Sequence, residues 1–86
     1  MGGFIGKMGR MPSDLSLLPK QLGRTVRLLR IEAGFTQSAL AEKADLALNF
    51  VGEIERGEKN ASLETTIRLA RALGISGSEL LKRVGV

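Results

Sequence analysis

The sequence contains no cysteine, histidine, tryptophan or tyrosine. Without cysteine and histidine, the chain cannot form a disulfide, a thiol nucleophile, an imidazole general base or a Cys/His metal site. Aromatic surface comes only from three phenylalanines, so the core must be mainly aliphatic, which favours packed helices over a β-sheet. We therefore predict an all-α protein that is not an enzyme and needs no cofactor or metal.

Long apolar segments are also missing. No run approaches the roughly 18 residues needed to span a bilayer, and the apolar stretch before Lys7 is too short for the core of a signal peptide. We therefore predict a cytoplasmic protein with no membrane partner. Because 86 residues is the length of one domain, no separate ligand domain is expected, and hence no small-molecule ligand.

Glycine, proline and capping residues divide the chain into an arm and five helices. Residues 1–18, glycine-rich at the start, are predicted to form a flexible N-terminal arm, and residues 19–86 form one helical domain. The predicted helices run from Pro19 to before Gly34, from a cap at Thr36 to Ala44, from Leu48 to Arg56, from a cap at Ser62 to before Gly74, and from a capping box of Ser76 and Glu79 onward.

Apolar residues at helical spacing predict the buried face of each helix. The predicted inward residues are Leu22, Val26, Leu29 and Ala33 in the first helix, Leu40, Ala41 and Ala44 in the second, Val51 and Ile54 in the third, and Leu63, Ile67, Ala70 and Leu73 in the fourth. The apolar side of the fifth helix consists of Leu80, Leu81 and Val84. Leu28 and Ile31 fall off the stripe of the first helix. Five short helices with these faces predict one compact bundle.

The connection between the second and third helices has the length of a helix-turn-helix. Only Asp45, Leu46 and Ala47 separate the two helices, and such a turn sets the second helix across the first so that its outer face can enter a DNA major groove. A helical hairpin inside an ordinary bundle fits the spacing equally well. The net charge of +4 suits a polyanionic partner, but charge alone decides little.

Specific residues in fixed order favour the helix-turn-helix. These are Leu22-Gly23, Arg30, Gly34-Phe35-Thr36-Gln37, Leu40-Ala41, Val51, Ile54-Glu55-Arg56-Gly57 and Leu69-Ala70-Arg71-Ala72-Leu73-Gly74. The pattern resembles the lambda-repressor-like, Cro-type transcriptional regulators of the xenobiotic response element family, and residues 51–63 look particularly like the controller proteins of restriction-modification systems. The resemblance implies a five-helix DNA-binding domain that binds a palindromic operator as a dimer, as a repressor or autoregulator.

The same resemblance implies roles for individual residues. Gln37 matches a phosphate-contacting glutamine, and Arg30 and Glu55 match a structural ion pair. The predicted base-reading positions are Leu48, Asn49, Gly52 and Glu53, the predicted backbone contacts are Arg56, Lys59 and Asn60, and additional charge comes from Arg24, Arg27, Lys7 and Arg10. Double-stranded DNA is thus the expected partner. Because the third helix is nearly neutral, a protein-binding adaptor or antitoxin-like protein is the alternative.

A dimer is expected from geometry, because one recognition helix contacts too few base pairs to define a unique site. Relatives commonly dimerise through the last helix. Its apolar residues Leu80, Leu81 and Val84 are therefore the predicted interface of a homodimer.

Overall fold

The computed structural model describes residues 15–86, and within that range it contains five α-helices and no β-strand. The helices are α1 (Leu18–Glu32), α2 (Gln37–Ala44), α3 (Leu48–Glu55), α4 (Leu63–Ala72) and α5 (Gly77–Val84), and a 3₁₀ turn over residues 15–17 precedes α1. The predicted all-α class is confirmed. Most of the predicted arm, with Lys7 and Arg10, lies outside the described residues, and the flexibility of residues 1–18 stays a prediction.

Side-chain caps fix the starts of three helices. The hydroxyl oxygens of Thr36, Ser62 and Ser76 each accept a hydrogen bond of 3.0 Å from the backbone N–H three residues later, which satisfies one of the donors left open at a helix N-terminus. Only one of the two hydrogen bonds of the predicted capping box of Ser76 and Glu79 is present, the one that Ser76 accepts. The carboxylate of Glu79 accepts from Nε of Arg83 at 3.0 Å, so this side chain is held by an ion pair one turn further on.

The turn between α2 and α3 depends on one residue in the left-handed region. Asp45 ends α2 with φ 57° and ψ 50°, a conformation that aspartate tolerates better than most residues with a β-carbon. Its carboxylate accepts a hydrogen bond of 3.1 Å from Arg68 of α4. The turn is thereby linked to a neighbouring helix.

The core lies where all five helices meet. Its most deeply buried side chains are Val26, Leu40, Val51, Ile54, Leu69 and Leu80. α1 packs on α3 and α5, α2 packs on α3 and α4, and α4 packs on α5. Gly23 brings α1 against the end of α3, because a β-carbon there would overlap the backbone carbonyl oxygens of Ile54 and Glu55. This contact positions α3 relative to the rest of the bundle.

The predicted buried face is wrong for part of α4. Leu63 is 73% exposed, whereas Thr65, Thr66, Leu69 and Ala70 are buried. Two apolar stripes overlap on this helix, and Leu63 stands at its first residue, beyond the edge of the core. In α1 the prediction holds better: Leu22 and Val26 are buried and Leu28 and Ile31 are exposed, although Ala33 is exposed as well.

The predicted dimer residues of α5 are mostly core residues. Leu80 is fully buried and Val84 is 8% exposed within the single chain, since α5 packs on α1 and α4. These two side chains are therefore part of the core of the single chain, and the predicted dimer interface on α5 stays a prediction. Leu81 remains exposed on the outer face of the helix.

Candidate nucleic-acid interface

The outer face of α3 forms a shallow depression together with the start of α2. Six of the eight residues predicted to contact DNA line it: Gln37, Leu48, Asn49, Gly52, Glu53 and Arg56. Leu48 is 49% exposed, Asn49 is also exposed, and Glu53 is half-buried. The structure thus brings residues of two helices and the following turn to one accessible surface.

Gly52 occupies a different place in this surface from the predicted one. It is buried and forms the floor of the depression instead of projecting from it. A β-carbon on Gly52 would lie 3.2 Å from Nη1 of Arg56 and 3.8 Å from Oε1 of Gln37. Its lack of a side chain leaves space between these two polar groups, and its role as a base-reading position stays a prediction.

A buried ion pair holds α3 in its orientation. The guanidinium of Arg30 donates to both carboxylate oxygens of Glu55, with Nε–Oε2 at 2.7 Å and Nη2–Oε1 at 3.2 Å. The Glu55 side chain is 3% exposed and that of Arg30 is 13% exposed. Arg30 also donates to the carbonyl oxygen of Phe35 at 2.8 Å. The predicted pair is confirmed, and it connects α1, the loop before α2 and the end of α3.

Gln37 joins this network at the edge of the depression. Its amide Nε2 donates to Oε1 of Glu55 at 3.0 Å, so the side chain is anchored to α3 while it lines the surface. A third hydrogen bond also satisfies the buried carboxylate, which burial would otherwise penalise. The sequence pattern predicted Arg30 with Glu55 but left this bond of Gln37 unidentified.

Arg56 forms an ion pair with Glu58 that was not predicted from the sequence. Its Nε and Nη2 donate to the two carboxylate oxygens of Glu58 at 2.9 and 3.2 Å. This bidentate pair raises the pKa of Arg56 above its ordinary value and lowers that of Glu58, in both cases mainly through the hydrogen bonds between them. The sequence Arg-Gly-Glu carries a signal for it, since a positive-φ glycine reverses the chain between the two charges.

The other predicted backbone contacts lie beside the depression. Lys59 and Asn60 are exposed in the segment between α3 and α4 but do not line it. Arg24 and Arg27 are exposed on α1. The depression therefore combines polar and apolar groups and holds one arginine and one glutamate, while further lysine and arginine side chains are exposed outside it.

Such a surface is suited to direct contact with the bases and phosphates of DNA. An amide, a carboxylate and a leucine on one exposed helix face can meet the edges of bases, and cations at the margin can meet phosphates. None of the helices within residues 15–86 is long and apolar enough to cross a membrane. The fold and this surface define a helix-turn-helix in which α2 supports α3.

Comparison with known proteins agrees with that architecture. Residues 26–80 match the model of the Helix-turn-helix family, and the chain belongs to this family of DNA-binding transcriptional regulators. It is 34% identical over 71 residues to the control protein C.BamHI of Bacillus amyloliquefaciens, covering 83% of this chain and 85% of that protein. It is also 40% identical over 60 residues to the immunity repressor protein of Bacillus phage phi105, covering 70% of this chain but 42% of the repressor.

A solved structure shows the same fold. The restriction-modification controller protein C.AhdI from Aeromonas hydrophila superposes with a TM-score of 0.70 at 39% identity, covering 72% of this chain and 94% of that one. The predicted resemblance to lambda-repressor-like regulators and controller proteins is thus confirmed. The chain is a DNA-binding regulator of this helix-turn-helix type.

Proposed function

We propose that the chain recognises a palindromic operator as a homodimer, with α3 of each protomer in a major groove. The observation that supports this most directly is the depression on α3, which gathers six of the eight predicted contact residues. In this proposal Asn49 pairs with an adenine, Glu53 accepts from a cytosine amino group and Leu48 packs on a thymine methyl group. Regulation then follows from occupancy of a promoter, as a repressor or an autoregulator.

Phosphate contacts in the proposal come from the rim of the same surface. Gln37 retains a free amide oxygen and one amide hydrogen after its bond to Glu55, and Arg56 faces the depression. Lys59 and Asn60 extend the contact along the backbone. Because these residues touch phosphate, they would set affinity and register without selecting a base.

Selection of bound duplexes from a random DNA pool tests the operator. We expect enrichment of a palindrome whose half-sites lie about 34 Å apart, roughly one helical turn. Absence of any enriched sequence would contradict the proposal. A log-log salt dependence with a slope of about −0.9 per phosphate contact is expected on a selected duplex, and a flat dependence would favour the protein-binding adaptor instead.

Two asparagine variants separate base contact from backbone contact. Asn49→Ala should relax the preference at one position of each half-site, with a loss of about 1–3 kcal/mol on the preferred base. Asn60→Ala should weaken binding to all duplexes by a similar factor. Binding to a panel of single-base operator variants, measured by fluorescence anisotropy, distinguishes these outcomes, and identical specificity profiles for both variants would refute the assignment.

The dimer interface is proposed on the outer face of α5 and the adjacent face of α1. Leu81 is the exposed leucine of α5, and Leu28 of α1 is 57% exposed beside Arg83. Glu32 lines the same depression as Arg83, so that a twofold arrangement can place opposite charges together. Leu80 and Val84 would support this surface from within.

Analytical ultracentrifugation of charge-introducing variants tests the interface. Leu81→Glu should shift the chain toward monomer, because the carboxylate would be desolvated in the dimer. Leu63→Glu is the matched control, since Leu63 is an exposed leucine on another helix. Equal mass distributions for both variants would show that α5 does not form the interface.

In the same proposal the protein acts in the cytoplasm and catalyses no reaction. A regulator that acts on a promoter has to reach DNA, and binding alone accounts for its effect on transcription. The expected partners are therefore double-stranded DNA and a second copy of the chain.

A further inference from the structure

The pairing of Arg56 with Glu58 lies at the surface proposed to meet DNA. Both side chains are more than half exposed, so burial does not force them together. The carboxylate of Glu58 nevertheless occupies the Nε and Nη2 positions of the guanidinium. That edge is one of the two with which an arginine can bind a phosphate in bidentate geometry.

The turn that presents Glu58 is fixed by the fold. Gly57 adopts φ +75°, and a β-carbon there would lie 2.9 Å from Cα of Lys20 and 2.7 Å from its Cγ. The turn is therefore packed on the first part of α1 and cannot take a larger residue without movement. Backbone packing thus holds the Glu58 segment next to Arg56.

The guanidinium of Arg56 is also directed by the surface beneath it. Nη1 lies 3.2 Å from the point where a Gly52 β-carbon would stand, so the side chain extends across the glycine floor of the depression. Glu53 adds a second negative charge that acts on Arg56. One cation in the depression consequently faces two carboxylates.

We propose that Glu58 competes with the DNA phosphate for the guanidinium of Arg56, and so limits the affinity of the chain for DNA. The proposal rests on the proposed function, in which Arg56 contacts the DNA backbone. A phosphate must displace the carboxylate of Glu58 before it can make the bidentate contact through Nε and Nη2. Glu58 then lies close to a negative backbone, and this repulsion further weakens binding.

This arrangement explains the role of an acidic residue beside a DNA-binding surface. Glu58 would not touch a base, so it would change affinity for all duplexes alike. Its low pKa, caused by Arg56, keeps it ionised throughout the neutral range. Glu58 would therefore weaken DNA binding to the same extent at every pH in the physiological range.

A double-mutant cycle on DNA binding tests the competition. The four proteins are wild type, Glu58→Gln, Arg56→Gln and the double variant, and the probe is a fluorescein-labelled duplex of about 30 base pairs containing the selected palindrome. Fluorescence anisotropy over a series of salt concentrations gives the dissociation constant and the salt slope. Glu64→Gln is the matched control, because it also removes one negative charge from an exposed ion pair with an arginine, Arg68, on α4.

We expect Glu58→Gln to bind about two- to fivefold more tightly than wild type, the range for an exposed ion pair. The salt slope should become steeper by at most about 0.9, the value for one phosphate contact, because no carboxylate then offsets the charge of Arg56. With Arg56→Gln already present, the same change should have less than half this effect on a logarithmic scale. Glu64→Gln should bind like wild type. These results would support competition for Arg56.

The opposite results separate failure of this inference from failure of the proposed function. Equal tightening by Glu58→Gln in both backgrounds, or no tightening at all, would overturn the competition while DNA binding stands. Arg56→Gln binding as tightly as wild type would overturn both the Arg56 contact and the competition. A wild-type chain that selects and binds no duplex would overturn the proposed function itself.

Discussion

Removal of the Glu55 carboxylate should destabilise the fold more than any other single charge change within residues 15–86. In Glu55→Ala, Arg30 would keep only the carbonyl oxygen of Phe35 as a partner, while its side chain is 13% exposed. Breaking such a pair by removing one partner costs about 3–5 kcal/mol, because the remaining charge stays buried without compensation. The amide of Gln37 would lose its acceptor as well.

That loss is large compared with the stability of a small domain. At about 0.05–0.15 kcal/mol per residue, a domain of this size has a total free energy of unfolding of roughly 4–13 kcal/mol. A shift of about 4–8 °C per kcal/mol predicts that Glu55→Ala melts at least about 12 °C below wild type. Thermal denaturation followed by circular dichroism at neutral pH measures the shift.

Two further variants make the test specific. Glu58→Ala removes the carboxylate of an exposed pair and should melt close to wild type. The double variant Arg30→Met/Glu55→Met removes both buried charges and should recover part of the loss, because neither charge is then left unpaired. If Glu55→Ala melted within a few degrees of Glu58→Ala, the buried network would not hold α3 as we describe.

Three other changes probe the helix contact, the exposed ion pair and a cap. Gly23→Ala should lower stability by about 1–3 kcal/mol in urea denaturation, because its β-carbon meets backbone at the end of α3. Gly52→Ala, whose β-carbon meets only the ends of the Arg56 and Gln37 side chains, should leave stability equal or higher, and similar losses for both would contradict this. Arg56 lowers the pKa of the Glu58 carboxyl. The pair therefore stabilises the fold at a pH above the ordinary pKa of glutamate, and this stabilisation is lost as the pH falls through the pKa of Glu58 in the folded chain. An NMR titration should therefore show a higher midpoint in Arg56→Gln, and an unchanged midpoint would argue against the pair in solution. Ser76→Ala should cost about 1 kcal/mol through loss of its cap, and a calorimetric melt that matches wild type would show that the cap is dispensable.

The sequence alone determined the number, type and limits of the helices. Capping hydroxyls such as Thr36 and Ser62 and positive-φ glycines such as Gly34 and Gly74 act on their own neighbours, so local sequence is sufficient to locate them. The spacing of α2 and α3 and the ordered family residues also identified the helix-turn-helix. The same family residues also predicted the ion pair of Arg30 with Glu55.

The tertiary structure decided which of several possible faces is buried. Periodicity identified stripes on α4 and α5, but it could not show that Leu63 lies beyond the core or that Leu80 faces inward. Burial depends on where the neighbouring helices end, which a periodic pattern does not encode. Two of the three residues predicted for the dimer interface, Leu80 and Val84, therefore turned out to pack within the single chain.

The polar contacts of the DNA-binding surface likewise depended on the folded arrangement. The hydrogen bond from Gln37 to Glu55 joins residues 18 positions apart. Gly52 forms the floor of the depression because Gln37 of α2 and the Arg56 side chain both lie next to it in the folded chain. The Arg56–Glu58 pair forms because the Gly57 turn packs on α1. Sequence therefore named the residues of this surface, whereas the packing of helices determined which partner each polar group has, because hydrogen bonds depend on distance and angle in three dimensions.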